Sequence, residues 1–380
     1  HMNRILEVDT KAQTVRVQPG VIRDELNASL QETGLFFGPN TSTSKYCTIG
    51  GMVGNNSSGS TSIRYGVTRD KVVALKGFFS DGSEGVFENL DAKSLKEKTQ
   101  QNNLEGKVYQ LLMDELSKKE RQKEIRDAFP DASVHRRNTG YAVDALLDRQ
   151  PFTDNGQPFS LCPLMAGSEG TLFFITEITV LLDTLPPPHK RMVAAHFDSV
   201  KKSLQAVAPA MEHQLQTCEL MDKTVLDCTK NNKAQLQNRF FIQNDPKALL
   251  LLEIARDTEK EVDSATEALC ESLSACGAYA LPVLRDEGIH QALELRKSGL
   301  GALGNMIGDA KAVACVEDTA VPLAQLSAFI DEFTALMTRH NQQAVYYAHA
   351  GAGELHLRPI LNLKKIAHIR LFRTITSEVA

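Results

Sequence analysis

Two histidines seven residues apart, His349 and His356, flank the small residues Ala350, Gly351, Ala352 and Gly353. Neutral imidazole is the commonest ligand for zinc and related divalent ions, and Gly351 and Gly353 permit a sharp turn between two ligand-bearing segments. On spacing alone, such a pair is more often structural or superficial. A second stretch, Cys47 to Gly66, packs five glycines, two asparagines and six Ser/Thr hydroxyls into twenty residues. Glycine lacks a Cβ and tolerates positive φ, so this chain can bring backbone N–H groups close to a ligand, and successive N–H groups make anion-binding concavities. A flexible Gly/Ser linker has a similar composition. Ile49, Met52, Val53, Ile63 and Tyr65 argue against it, because a linker needs no regularly placed apolar anchors. Pro39 fixes the turn entering the stretch. The run Gly167-Ser168-Glu169-Gly170, ahead of an apolar strand, is either a tight turn or a further ligand loop.

The elements that must position these residues change character along the chain. Segments 5–8 and 14–17 alternate as strands around a turn at 9–13. Ile22, Leu26 and Leu30 are spaced for an amphipathic helix over 22–33 that Gly34 stops. A buried strand is expected at 72–79, closed by Asp81-Gly82. Residues 91–129 are charged and helical, with Val108, Leu111, Leu112 and Leu116 on one face. A long apolar strand at 172–182 ends at Pro186-Pro187-Pro188, which continues neither sheet nor helix and marks a domain boundary. Beyond it, strands at 191–197, 219–221, 248–254, 279–284, 312–316 and 345–349 alternate with helices near 199–213, 223–230, 257–276, 286–298 and 322–340. This predicts an α+β domain, an antiparallel sheet with helices on one face. Gly299-Leu-Gly301-Ala-Leu-Gly304 fits G-x-G-x-x-G but follows a helix, so a mobile loop is expected there and not a dinucleotide site. Ser42-Thr-Ser-Lys45 fits S-x-x-K without the partner motifs of a penicillin-binding fold.

Bulk properties exclude several classes. The chain has 380 residues, 42% of them hydrophobic, and a net charge of −5. That length supports roughly two or three domains. The charge gives no reason to expect a nucleic-acid partner. No apolar run approaches the roughly 20 residues that span a bilayer. The seven cysteines are scattered, without a Cys-x-x-Cys pair. Zinc ribbons and iron–sulfur ligation within this chain are therefore not expected, and free thiols in a reducing cytosol are the default. Lys118–Lys123 reads as the solvated face of a helix. A charged strand-like segment follows His1-Met2 directly, unlike a signal peptide, and those two residues read as a cloning scar.

The string Thr48-Ile-Gly-Gly-Met-Val-Gly-Asn-Asn-Ser-Ser-Gly-Ser-Thr-Ser-Ile-Arg-Tyr-Gly-Val-Thr-Arg-Asp70 resembles the second half of the FAD-binding domain of the vanillyl-alcohol-oxidase (PCMH) type of FAD-linked oxidase. Residues 2–9 and 15–20 resemble the paired strands before that loop. Ala166–Thr171, running into the apolar strand, resembles the second flavin-contacting loop. His349–His356 resembles the metal-site motif of the D-lactate, glycolate and D-2-hydroxyglutarate dehydrogenase branch. The four motifs stand in the family's order over nearly the whole chain. The likeness is greatest to large bacterial members that join this flavin module to an iron–sulfur module.

The resemblance implies a PCMH-type FAD-binding domain at 3–187, with a helical insertion at about 91–129, followed by a ferredoxin-like α+β substrate (cap) domain at 188–380. It implies FAD lined by Pro39, Thr48, Ile49, Gly50, Gly51, Asn55, Asn56, Gly59, Tyr65, Gly66, Gly167, Ser168, Glu169, Gly170 and Ile175. It also implies a zinc-like divalent ion on His349 and His356 that binds the substrate's 2-hydroxyl and carboxylate. Arg296 matches a position that grips the carboxylate, and a guanidinium fork suits that contact. Arg358 stands where some relatives carry asparagine, and a second carboxylate contact there would point to a dicarboxylic acid. Surface salt-bridging is the alternative for both arginines. The implied reaction is hydride transfer from a D-2-hydroxy acid, of the D-2-hydroxyglutarate or D-lactate type, to flavin N5. An aryl-alcohol or sugar-lactone oxidase on the same fold, or a non-catalytic flavin-fold module, are the alternatives; the oxidase leaves the histidine pair unexplained.

The sequence departs from the family in three places. The first pyrophosphate loop would precede Met2, and the Glu-His-Gly segment with the third metal ligand and the catalytic base would follow Ala380. Ala352 and Glu354 replace the usual Asp and Asn of the metal motif. The expectation is an excised central portion, inactive alone, with no catalytic base of its own and any iron–sulfur cluster in the remainder of the parent. Expected partners are a small 2-hydroxy acid and an electron acceptor of unknown identity. A homo-oligomer is left open. A cytoplasmic location is expected, with peripheral attachment at the inner membrane as the variant.

Overall fold

A computed structural model describes residues 1–137, 140–230 and 232–380, with the backbone alone at 300 and 305. The chain divides into two compact units, His1–Leu185 and Pro186–Ala380.

The first unit is built on an antiparallel five-stranded sheet. Its strands are β1 (Ile5–Asp9), β2 (Thr14–Val17), β4 (Val72–Phe78), β5 (Glu84–Phe87) and β6 (Phe174–Leu181), in the order β1-β2-β6-β4-β5; β3 (Leu35–Phe36) and β7 (Asp183–Thr184) form a separate ribbon. Alternation sets the register. Val15 pairs with Val180 and Val17 with Ile178, and all four are fully buried. A one-residue slip would turn that set outward. The helix expected over 22–33 is shorter, Arg23–Ser29, followed by a 3-10 turn that Gly34 closes at φ 71°. The charged segment forms three helices, Ala92–Thr99, Leu104–Leu116 and Lys119–Ala128. Asp91 and Asn103 cap the first two by accepting from Ser94 N and Gly106 N.

The second unit is an eight-stranded antiparallel sheet. Its strands are β8 (His189–Phe197), β9 (Thr217–Asp222), β10 (Ala248–Arg256), β11 (Val283–Leu284), β12 (Lys311–Ala312), β13 (Val316–Ala320), β14 (Ala344–His349) and β15 (Glu354–Leu361). The order is β11-β8-β10-β9-β14-β15-β12, with β13 also on β15. The expectation of helices on one face is corrected. Leu249, Leu250, Leu251 and Leu252 of β10 are all fully buried, so residues of both parities are covered. Leu249 and Leu251 pack with Val225, Leu226, Ala292 and Leu295 from the helices Lys223–Lys230 and Glu287–Ala302. The helix Glu259–Ala275 packs on β8 and β10, with Val262, Leu269 and Leu273 buried.

Two further expectations change here. The strand expected at 279–284 is reduced to β11, since Pro282 donates no N–H to a ladder. The glycine run at 299–304 is not a mobile loop: Glu287–Ala302 is helical through it, and Leu303–Asn305 continues as a 3-10 turn. A Cβ on Gly299 would lie 2.7 Å from Val225 Cγ1, so this glycine permits close helix packing. No helix among the described residues is long and apolar enough to cross a membrane.

Candidate functional site

In the first unit, the glycine-rich stretch is not a loop throughout. Ile49–Asn55 is a helix, and the Thr48 side chain caps it by accepting from Gly51 N at 3.1 Å. Three glycines in seven positions disfavour a helix by roughly 1 kcal/mol each. Burial of Ile49, Met52 and Val53, all at 0% exposure, offsets that. Ile49 N donates to Val21 O and Gly50 N to Pro19 O, both at 2.8 Å, so these N–H groups do not face a ligand as a glycine cradle would require. Gly50 is needed because a Cβ there would lie 2.5 Å from Pro19 Cβ. The helix ends at Asn56, a buried residue at φ 53° whose Oδ1 accepts from Arg69 N at 2.8 Å. Gly51 and Asn55 are exposed on this helix.

The loop after it carries the available donors. The N–H groups of Ser58, Gly59 and Ser60 meet no acceptor among the described residues. Gly59 is buried against Asn40, where a Cβ would lie 2.6 Å from Asn40 O. Tyr65 packs edge-on against Phe36, and Gly66 at φ 72° leaves room for the Asp70 carboxylate. Pro39 is buried, its carbonyl accepting from Arg23 Nε at 3.2 Å.

The second loop is stitched to the end of the Ile49–Asn55 helix. Gly167 N donates to Val53 O and Glu169 N to Gly54 O, both at 2.8 Å. Gly167, Glu169 and Gly170 all have positive φ, Ser168 is buried, and Gly170 N has no acceptor among the described residues. Ile175 is half-buried on β6, opposite Gly77. Arg69, overlooked as a site residue, joins the two segments: Nε donates to Pro163 O at 3.0 Å and Nη2 to Ala166 O at 2.8 Å. Burial lowers the pKa of this guanidinium. Donors at 58–60 and 170 fit an anionic, acceptor-rich group such as the FAD pyrophosphate.

In the second unit, β14 and β15 pair Tyr347 with His356 and His349 with Glu354, while β14 pairs Tyr347 with Met221 of β9. Two steps further along that register, beyond Ala348 and Leu220, Glu219 comes opposite His349. Alternation therefore places Glu219, Tyr347, His349, His356 and Arg358 on one sheet face. The helix Glu287–Ala302 lies over it, with the Arg296 guanidinium 4.3 Å from the Tyr347 ring centroid. The imidazole centroids of His349 and His356 are 5.3 Å apart. Two imidazoles binding one tetrahedral zinc through Nε2 put their centroids about 5 Å apart, given Zn–N of about 2.0–2.1 Å.

Each Nδ1 is held by a carboxylate. His349 Nδ1 is 2.9 Å from Glu219 Oε2, and Glu219 is almost wholly buried. Arg296 Nη2 also contacts Glu219 and donates to Ala348 O at 3.2 Å, while its buried Nε has no partner among the described residues. His356 Nδ1 is 2.8 Å from Glu317 Oε2 and 3.2 Å from Asp318 Oδ1, ion-pair contacts outside in-line hydrogen-bond geometry. Glu317 Oε1 accepts from Arg358 Nε at 2.5 Å. Burial alone would lower the His356 pKa, but Asp318 and Glu317 outweigh it and raise it to about 9. Burial would likewise raise the Glu317 carboxyl, yet His356 and Arg358 hold it below the usual range. Neither arginine is in a surface salt bridge; Arg296 is buried and Arg358 half-buried.

The acids come from a feature the sequence does not announce. Val316 pairs with Leu357 and Thr319 with Leu355, so Glu317 and Asp318 together stand opposite His356 in a β-bulge, with Asp318 at φ 53°. Such a bulge re-aims side chains toward a site. Glu317, Asp318 and His356 offer ligand atoms within 4.8 Å of one another, a trio that does not include His349. Glu219 had one legible signal, an acid between the apolar Cys218 and Leu220 within the strand Thr217–Asp222.

The profile of the family "FAD linked oxidases, C-terminal domain" matches residues 186–380, and that of "FAD binding domain" matches residues 1–84. The D-2-hydroxyglutarate dehydrogenase of Pantoea ananatis is 33% identical over 390 residues, covering 100% of this chain and 37% of that protein. The Escherichia coli K12 D-2-hydroxyglutarate dehydrogenase is 32% identical over the same length and coverage. Glycolate oxidase subunit GlcD of Bacillus subtilis is 25% identical over 365 residues, covering 94% of this chain and 61% of that subunit. The chain thus spans 37% of the length of the first two relatives. Among solved structures, substrate-bound p-cresol methylhydroxylase matches with a TM-score of 0.60 at 11% identity, covering 100% of this chain and 68% of that one. An alkyldihydroxyacetonephosphate synthase matches with a TM-score of 0.62 at 15% identity, covering 100% and 60%. These two likenesses concern the fold alone.

Proposed function

Because the chain belongs to the FAD-linked oxidases, we propose that it forms the flavin- and substrate-binding portion of a dehydrogenase for D-2-hydroxy acids. In this reading residues 3–187 hold FAD and residues 188–380 hold a dicarboxylic acid of the D-2-hydroxyglutarate type. The observation that carries it is the His349/His356 pair, spaced for one metal ion and flanked by Arg296 and Arg358. The similarity to D-2-hydroxyglutarate dehydrogenases supports the same substrate class.

The chain's own residues would act as follows. His349 and His356 hold a divalent ion through Nε2, their Nδ1 atoms being occupied by Glu219 and Glu317. Arg296 and Arg358 bind the two carboxylates, which fixes the substrate at both ends and orients its 2-hydroxyl toward the histidines. Ser58, Gly59, Ser60 and Gly170 donate backbone N–H groups to the flavin's phosphates, with Thr48, Ile49, Gly50, Gly51, Asn55, Asn56 and Gly167–Gly170 forming the surrounding wall. A divalent ion supplies Lewis acidity that lowers the pKa of the 2-hydroxyl. FAD, when bound, supplies the hydride acceptor.

The test is turnover of a D-2-hydroxy acid panel by the full-length protein with a dye acceptor. D-2-hydroxyglutarate should give the highest kcat/KM, and chelation should abolish it. A flavin-loaded protein that oxidises aryl alcohols or sugar lactones and no hydroxy acid would overturn the reading.

A further inference from the structure

Each histidine of the pair shares its carboxylate with one of the two arginines. Glu219 contacts His349 Nδ1 at 2.9 Å and also Arg296 Nη2. Glu317 contacts His356 Nδ1 at 2.8 Å through Oε2 and Arg358 Nε at 2.5 Å through Oε1. We propose that Glu219 and Glu317 are positioning residues, each tying one metal-binding histidine to one substrate-binding arginine, so that the metal and carboxylate sites are set by shared carboxylates. The inference rests on the metal-and-diacid reading above and adds two residues to it.

Stability alone does not explain the arrangement. Glu219 has a side chain 1% exposed within a strand whose six residues are all buried. A buried carboxylate is tolerated when paired, but well-packed apolar residues of similar volume are commonly as stable as a buried ion pair. The buried Glu219 and the half-buried Glu317, each spanning a histidine and an arginine, are what a functional constraint predicts. At His349 the hydrogen bond to Glu219 selects the Nδ1–H tautomer and presents Nε2 to the metal, while at His356 the Glu317 ion pair turns the Nδ1 edge toward the carboxylate. The same carboxylates also decide which arginine donors remain. Arg296 keeps a buried Nε without a partner, and Arg358 keeps its η-nitrogens, which have no partner among the described residues. Glu219 is delivered by the β9–β14 pairing and Glu317 by the bulge in β13, so each link depends on strand register.

The experiment uses the full-length protein and zinc alone as the probe. E219Q, E317Q, D318N and the double variant H349N/H356N are titrated with zinc by competition against a chromophoric chelator. Cobalt(II) visible spectra report the ligand set, and flavin content and melting are controls. At Glu317 the two contacts use different oxygens, so a glutamine with one acceptor cannot serve both; at Glu219 both use Oε2, so a glutamine keeps the acceptor but loses the charge that binds histidine and arginine together. E219Q and E317Q should therefore each weaken zinc binding ten- to a hundredfold and raise the KM for D-2-hydroxyglutarate more than they lower kcat, with flavin content unchanged. If E219Q does not fold, E219D keeps the charge while shortening the reach, and should lose zinc affinity with the melting temperature retained. Zinc binding by H349N/H356N at wild-type strength would refute the metal reading itself. Zinc lost in that variant but retained at wild-type affinity and KM in E219Q and E317Q would overturn this inference alone. Equal loss in D318N and E317Q, with an altered cobalt spectrum, would make Glu317 a direct ligand and overturn its positioning role.

Discussion

Arg69→Ala separates a structural arginine from one that shapes the flavin site. The side chain donates to Pro163 O at 3.0 Å and Ala166 O at 2.8 Å, and Ala166 immediately precedes the Gly167–Gly170 turn. Truncation leaves both carbonyls without these donors. An orphaned buried acceptor costs about 1–3 kcal/mol, and Arg69 is only half-buried, so water recovers part of it. The expected sum is about 2–4 kcal/mol. The contact of Arg69 N with Asn56 Oδ1 survives because it is main-chain, so the Ile49–Asn55 helix keeps its cap. The loss therefore falls on the second loop. If 1.4–2.8 kcal/mol of it is the cost of ordering that loop, FAD affinity drops about ten- to a hundredfold. Arg69→Lys keeps the charge but not the fork, and reaches one carbonyl at most, so it should lie between. FAD titration by flavin fluorescence, with melting in parallel, is the assay. An Arg69→Ala protein that binds FAD at wild-type strength would refute the bracing role. One that loses FAD only because the whole unit has melted would show the arginine to be a general stability element.

Four further outcomes follow from particular contacts. Gly50→Ala would force a Cβ to 2.5 Å from Pro19 Cβ, so overpacking of about 1–3 kcal/mol should lower the melting temperature. Gly51→Ala, whose Cβ would meet only Thr48 Oγ1 at 3.2 Å, should leave melting unchanged or raised while weakening FAD binding, as read by flavin titration. Arg296→Lys should raise the KM for a diacid about ten- to a hundredfold through loss of the guanidinium fork, read by steady-state kinetics. Asp222 accepts from Val225 N and Tyr346 N, and its burial dominates, raising its pKa from 3.8 to about 6. The folded state thus binds the proton more tightly than the unfolded one, and this group's contribution is fully present below pH ~4 and lost as pH rises through ~6, by about 3 kcal/mol. Asp222→Asn should flatten that part of the denaturation-versus-pH profile, and an unchanged slope would count against it.

Much of the scaffold was legible because short-range patterns dictate it. Val15, Val17, Ile178 and Val180 alternate as a half-buried sheet requires, and the 259–275 helix announces itself through Val262, Leu269 and Leu273. The helix at Ile49–Asn55 was not legible, because three glycines argue against it and only the tertiary burial of Ile49, Met52 and Val53 reverses that. The same burial changed the chemistry inferred for the stretch. The N–H groups of Ile49, Gly50 and Gly51 are occupied within the protein, and the available donors lie in the following loop at 58–60.

The histidine site shows why chemistry is easier to read than its support. Period-2 alternation alone puts His356 and Arg358 on one face of β15, and a single slip in register would turn both away from His349. Their carboxylate partners cannot be read that way. Glu219 meets His349 across 130 residues of sequence, and Glu317 meets Arg358 across 41, through a bulge that no local composition encodes. A bulge at that point converts two consecutive acids, which would otherwise face opposite sides of the sheet, into a pair standing opposite one histidine. The altered Ala352 and Glu354 lie in the turn and at the start of β15, while the histidines stay within 5.3 Å of each other. Ring spacing is therefore set by strand pairing and the shared glutamates rather than by the identity of the intervening residues.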